Sequence, residues 1–585
     1  MRYQTLLAAF VLSLGLSLAP AVADDHDDGG HGSGHAARSL QTYPDAPAIA
    51  YEKVTIGDTE VHYLVEAGVI QIAHPDSGSG TADEDIAAAS MFYISYRALD
   101  EQLPYNEFRE RVERILGDEA LAEFDEVRTN DGGDAAITAV ARIVREEGVE
   151  LDRVFPFPDA SQRPITFSFN GGPGSSSVWL HLGVFGPQRV DPIDDFGNPG
   201  PGPHGVVPNE YSLLDKSDFV FIDPVSTGFS RAEGETNPRD FHGVDPDIDS
   251  VAEFIRRFIS RDDRWRSPRF IAGESYGTTR AAGLSLELFQ DHGITLNGVV
   301  LVSAVTDFQT IRFDVGNDLP FPLILPSYTA TARFHGKLDQ SLANRPLEDL
   351  LREVETFAAT DYLQALFQGD ALPPEQRRVM AQRVARYTGL SEEFIERNHL
   401  RVPLSRFAKE LRREDGITIG RLDSRYVGRD RDNAGERYEF DPSYAAILGI
   451  YTASLNAYLR ESIGFESDLP YEILTGKVWP WSYEGPGSNR YTNTGERLRG
   501  AITRQPEMQV FLASGIYDLA TPYFAADYTM AHLMLPEPLR ANIETYYYES
   551  GHMMYAHRPS LVKMKADLDQ WYDRVVERAL SAGQP

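Results

Sequence analysis

The sequence predicts an α/β fold: a mostly parallel sheet with helices on both faces and a helical cap inserted before the sheet is complete. Three observations carry this. Short apolar runs at 165–169, 218–222, 269–272 and 298–302 alternate with helical stretches such as 249–258. Apolar runs of that length, separated by helices, belong to a parallel sheet buried on both faces. The alternation stops from 311 to 500, and strand patterning returns at 508–512 and 544–548.

In chain order, residues 51–96 have strand character: 61–65 alternates, and 91–96 is rich in β-forming residues. Residues 104–150 switch to helical spacing, with apolar stripes at 108–116 and 137–144 beside charged faces. This is a helical excursion between two strands. The four apolar strands follow. Segments 347–367, 374–387, 391–398 and 401–413 then have charged, helical composition, and a last amphipathic helix covers about 560–580. A sheet that is interrupted by helices and then finished is the plan of the α/β-hydrolase fold. It divides the chain into a first core part at 46–310, a cap at 311–500 and a second core part at 501–585.

Composition bounds the function. The chain has 585 residues, 42% apolar and 24% charged, as in ordinary globular proteins. Its net charge of −33 excludes non-specific nucleic-acid binding, which needs clustered cations. The absence of cysteine excludes thiol catalysis and cysteine-ligated metals. Residues 1–23 read as a secretory signal: Arg2, an apolar run from Thr5 to Leu18, and the small residues 21–23. Cleavage there leaves Asp24 first, and the expected location is periplasmic or secreted, with no stable membrane insertion. Residues 24–45 read as an acidic, disordered leader. Metal capture by His26, His31 and His35 is the sharper alternative for that tract.

The chemistry begins at Gly273-Glu274-Ser275-Tyr276-Gly277, which follows an apolar strand and precedes a helix-compatible run. That is the form of a nucleophile elbow, a tight turn that holds a serine hydroxyl clear of the sheet. A serine needs an imidazole to take its proton and a carboxylate to orient the imidazole. Asp518 follows strand 508–512, and His552 follows strand 544–548. They have the right type, order and strand-end context. His557 is a rival farther from its strand, and Asp527 is a rival within a helix. Asn170-Gly171-Gly172-Pro173-Gly174 ends strand 165–169, where backbone amides can meet a developing oxyanion. Gly172 and Tyr276 N–H are the candidate donors. No metal or organic cofactor is expected.

These segments together resemble the serine carboxypeptidase family, peptidase family S10. The matching pieces run in the family's order from about 165 to 555. They are the Asn170–Ser176 loop, 186–190, 221–230, the elbow, the Asp518 loop and Gly551-His552. The resemblance implies release of a C-terminal amino acid from a peptide through an acyl-enzyme, often best at acidic pH. It also implies that Asn170 and Glu274 bind the substrate's terminal carboxylate. A carboxyl beside a carboxylate must share a proton, so Glu274 binds best when protonated. Two positions depart from the family: Ser168 stands in the usual W-L-N-G-G-P-G motif where Trp is expected, and Val184 stands where a second Glu is common. Both losses fall in the carboxylate clamp. They keep open an esterase or acyltransferase using the same triad. A non-catalytic, metal-binding periplasmic protein is the remote alternative.

Overall fold

The computed structural model describes residues 43–44, 46–73, 87–100, 104–191, 202–483 and 491–582. The expected signal at 1–23 and the leader histidines lie outside the described residues. The described residues build one large twisted sheet. Its main strands are β1 (Ala48–Ile56), β2 (Thr59–Ile72), β3 (Ala89–Ala98), β4 (Ile165–Phe169), β5 (Asp218–Ile222), β6 (Arg269–Glu274), β7 (Gly298–Val302), β8 (Gln509–Gly515) and β9 (Ile543–Tyr548). Across the sheet the order is β1-β2-β3-β5-β4-β6-β7-β8-β9. The first three strands and the β3–β5 pair are antiparallel, and every pair from β5 onward is parallel.

The parallel half follows from the pattern of buried residues. Successive side chains of a strand point to opposite faces. Phe270 and Ala272, Val300 and Val302, Phe511 and Ala513 enter one core, shared with Leu568 and Trp571 of the last helix, Arg558–Ala582. Ile271, Val299, Leu301, Val510 and Leu512 enter the opposite core, shared with helices Val244–Arg261 and Tyr276–Gln290. Both faces of β6, β7 and β8 are therefore covered, and these strands carry no polar face.

The excursion at 104–150 is helical, with helices Tyr105–Leu116, Asp118–Asp131 and Gly133–Glu146. It forms its own apolar cluster against Ile49 and Tyr51 of β1 and Leu64 of β2. Within 311–500, helices Pro320–Phe334, Leu347–Phe357, Pro374–Thr388 and Leu404–Glu410 share a separate core. Two helices of that span do not join it. Pro442–Ala457 packs into the sheet core through Ile447, Ile450 and Leu455. Gly495–Arg504 packs through Leu498, Ala501 and Ile502 into the opposite one.

Candidate active site

The elbow is built by crowding. Ser275 has φ 59° and ψ −128°, a sparsely populated conformation for a residue with a side chain. A Cβ on Gly273 would sit 2.2 Å from the Gly277 carbonyl oxygen, and one on Gly171 would sit 2.4 Å from the Tyr276 nitrogen. The loop after β4 therefore rests directly on the first turn of helix Tyr276–Gln290. Tyr276 N–H is one of the first-turn donors that have no acceptor within a helix. Gly172, one residue further along the loop, has φ 99°. The two amides proposed as oxyanion donors thus belong to segments in backbone contact.

Asp518 and His552 come together from the ends of β8 and β9, which are neighbours in the sheet. His552 Nδ1 lies 2.7 Å from Asp518 Oδ2. The carboxylate is fully buried and fully occupied: Ala520 and Thr521 N–H donate to Oδ1 at 2.7 and 3.0 Å, and Thr521 Oγ1 donates to Oδ2 at 2.7 Å. A carboxylate with every lone-pair direction used is held in one rotamer, and it holds Nδ1–H toward itself. That leaves Nε2 free to accept a proton. Burial alone depresses the His552 pKa, but attraction to Asp518, the hydrogen bond and the charge of Glu274 outweigh it. The net value is above that of an ordinary histidine.

A short relay ties this pair to the elbow. Ser275 N–H donates to the Val302 carbonyl at 3.0 Å. The next residue, Ser303, donates its hydroxyl to the His552 carbonyl at 2.6 Å. The serine and histidine backbones are therefore both anchored to the end of β7. The two rivals are engaged elsewhere. His557 Nδ1 meets Ser560 Oγ at 2.8 Å, and Asp527 accepts the Tyr547 hydroxyl at 2.9 Å.

Glu274, beside the serine, is buried. Burial pushes its carboxyl up to about 7; the His552 charge and the Tyr555 and Asn170 hydrogen-bonding groups pull it down, and Asp518 pushes it up. Asn170 is 1% exposed, and its Oδ1 accepts Leu180 N–H at 3.1 Å. That fixes the amide orientation and leaves Nδ2 buried beside the Glu274 carboxyl and the Tyr555 hydroxyl, short of a well-formed hydrogen bond among the described residues. An unpaired buried donor is costly, and it is aimed into the site. Ser168 is buried within β4, and its hydroxyl also lacks a partner among the described residues. Val184 lies in the sheet core, with its carbonyl held by Asn209 Nδ2 at 2.9 Å.

Three contributors escaped sequence reading. Thr521 had a local signal, a hydroxyl three residues after Asp518. Tyr555 donates its hydroxyl to Glu274 Oε2 at 2.5 Å. The third is a cap hairpin between Thr418–Ile419 and Val427–Gly428. From it, Leu422 C=O accepts His552 N–H at 2.6 Å and Arg421 C=O accepts Leu519 N–H at 3.1 Å. Asp423 Oδ2 accepts Gly551 N–H at 3.0 Å, and Arg425 pairs with Asp423 at 2.7 Å while holding the Glu549 carbonyl at 2.8 Å.

Residues 157–314 match the model of the serine carboxypeptidase family, peptidase S10. The retinoid-inducible serine carboxypeptidase of Homo sapiens is 31% identical over 133 residues, 22% of this chain and 26% of that protein. Carboxypeptidase Y homolog A of Coccidioides posadasii is 28% identical over 153 residues, 26% of each. The matched part thus spans only about a quarter of these relatives' length. Among solved structures, a prohormone-processing carboxypeptidase from Saccharomyces cerevisiae matches over 91% of this chain and 96% of its own, at 15% identity and a TM-score of 0.48. The family match contains Asn170, Gly172, Glu274, Ser275 and Tyr276; Asp518 and His552 lie beyond it.

Two stability measurements check the site's electrostatics. The folded state holds the Glu274 proton up to about pH 7 and an unfolded carboxyl releases it near 4.5, so wild-type stability falls as pH rises between these values. Glu274→Gln is expected to be more stable than wild type above pH 7, by up to about 3 kcal/mol, and equal to it at low pH. A pH-independent difference in denaturant unfolding contradicts this. Arg425→Ala leaves Asp423 as an uncompensated buried charge and is expected to lose roughly 3 kcal/mol in the same measurement.

Proposed function

We propose, for a chain whose residues 157–314 match the serine carboxypeptidase family model, hydrolysis of C-terminal peptide bonds by Ser275, His552 and Asp518. Ser275 Oγ attacks the scissile carbonyl carbon as its proton passes to His552 Nε2. Asp518 fixes the tautomer and stabilises the imidazolium. Gly172 and Tyr276 N–H take the developing oxyanion. His552 then gives the proton to the leaving amine, and the C-terminal amino acid departs. Water, deprotonated by His552, releases the acyl group from Ser275. No metal or organic cofactor enters this chemistry. Export through residues 1–23, with a mature chain starting at Asp24, is part of the proposal.

The observation that carries the exopeptidase reading is the pair beside the nucleophile. Asn170 Nδ2 is a buried donor beside the Glu274 carboxyl that makes no well-formed hydrogen bond among the described residues, and burial pushes that carboxyl up to about 7. A terminal carboxylate supplies an acceptor for the first and a proton-sharing partner for the second. An esterase or acyltransferase reading draws on Ser168 and Val184, which bring no charge or aromatic face to the clamp.

Incubation with blocked dipeptides and simple esters tests both readings. A fluorophosphonate is expected to label Ser275, and Ser275→Ala is expected to lower turnover by at least about 10⁴-fold. Ester cleavage without release of any C-terminal amino acid favours the second reading. No labelling of Ser275 at any pH overturns both. The pH profile separates binding from chemistry. Proton uptake by His552 requires its neutral form, so activity on uncharged esters climbs with pH through a value above the ordinary histidine one. For peptides with a free carboxylate, kcat/KM is expected to fall as Glu274 ionises around pH 7, by up to about tenfold per pH unit beyond it. Parallel profiles for the two substrate classes contradict the role given to Glu274.

A further inference from the structure

The place where the family commonly carries a second clamp carboxylate is Val184, and Glu274 has a different partner. Tyr555 donates its hydroxyl to Glu274 Oε2 at 2.5 Å, and both side chains are buried. The path of the tyrosine explains how this fits. A Cβ at position 183 would lie 2.3 Å from Tyr555 Cε2 and 3.0 Å from the Tyr451 hydroxyl. Gly183, adjacent to Val184, therefore leaves room for the Tyr555 ring that any side chain would close. The phenol comes in beside the turn where the missing carboxylate is expected.

The groups facing Glu274 are few. They are the His552 imidazole, the Asp518 carboxylate behind it, the Asn170 amide, and the Tyr555 and Tyr451 phenols. Tyr555 is neutral throughout the working range, because burial and the Glu274 charge hold its hydroxyl well above the usual tyrosine value. A second glutamate can lose a proton; this phenol does not. Its hydrogen also occupies Oε2, which leaves Oε1 as the oxygen that can carry a proton.

We propose that Tyr555 is a positioning residue of the carboxylate clamp: it stands in for the absent second carboxylate, engages Glu274 Oε2, and confines the proton shared with the substrate's terminal carboxylate to Oε1. The proposal rests on the carboxypeptidase reading. The clamp then has one ionisable carboxyl, so a single proton governs carboxylate binding.

The experiment measures kcat and KM from pH 5 to 9 for a blocked dipeptide with a free carboxylate, for its C-terminal amide, and for an ester. Wild type, Tyr555→Phe and Glu274→Gln are compared, with fluorophosphonate labelling of Ser275 as the check of a folded site. Wild-type KM for the free carboxylate is expected to rise with a limiting slope of one proton. A hydrogen bond to the charged form lowers a carboxyl's pKa, so Tyr555→Phe is expected to move that rise to higher pH by about one unit. KM for the amide and the ester carries no such rise, while their kcat profile follows His552, and Glu274→Gln abolishes the rise for the free carboxylate. An unmoved rise in a Tyr555→Phe enzyme that still labels overturns the role of Tyr555 alone. So does a two-proton slope in wild type, which needs no variant. A wild-type enzyme indifferent to blocking of the carboxylate overturns the carboxypeptidase reading and this inference together.

Discussion

Everything at the site depends on how closely the loop after β4 approaches the turn after β6. Two backbones meet there with no room for a single Cβ at Gly171 or Gly273. Such a contact is possible because β4 and β6 are hydrogen-bonded neighbours whose register runs to Phe169 and Gly273. The sheet thus delivers both loops to one point. Ser275 sits there in a conformation that costs on the order of 1–3 kcal/mol. Its strand offsets that cost: β6 is paired on both sides and buried in both cores. Arg280 adds an anchor by donating to the Asn170 carbonyl at 2.7 Å while pairing with Asp247, both buried. A strained turn persists only where its surroundings leave it no alternative, and here the sheet, the glycines and the buried ion pair all fix it.

His552 is restrained from two directions. The sheet side holds its carbonyl through Ser303, and the cap side holds its N–H through Leu422. The cap hairpin grips both loops: the Asp518 loop through Arg421 and Tyr517, and the His552 loop through Asp423 and Arg425. Leu519, beside the acid, belongs to the cap's own apolar core. At this edge the cap is therefore part of the scaffold of the acid–histidine pair.

Legibility followed the range of the interaction. The elbow, the Asn170 loop, and the placement of Asp518 and His552 after strands are local patterns; the structure pairs Asp518 with His552 and sets the Asn170 loop against the elbow. The alternation of strands and helices was equally local, because a doubly covered strand reads as an apolar run. The cap hairpin was not legible. Its contribution is two carbonyl oxygens and an ion pair, about 130 residues from His552 in sequence, and carbonyls carry no sequence signature. Tyr555 lay in view three residues after His552, yet nothing local shows that a glycine at 183 opens a path for its ring. The helix at 442–457 is apolar nearly all round and the one at 495–504 carries a stripe, and for both only tertiary packing decides between cap and sheet.

The charges of the site form one coupled unit. Glu274 and His552 act on each other in opposite senses: the carboxylate raises the histidine's proton affinity, and the imidazolium lowers the carboxyl's. In the proposed mechanism, ionising Glu274 therefore does more than repel a terminal carboxylate. It also makes His552 hold its proton more tightly, which removes the base that Ser275 needs. The productive state has both groups neutral, and each is brought there from a different side. Burial keeps the carboxyl protonated to higher pH, whereas Asp518 keeps the imidazole protonated to higher pH as well. A neutral phenol next to Glu274 lowers the carboxyl's proton affinity without adding a second negative charge, which would raise the proton affinity of Glu274 and His552 alike. That difference gives a physical reason for Tyr555 and Gly183 to occur together where the second glutamate is absent.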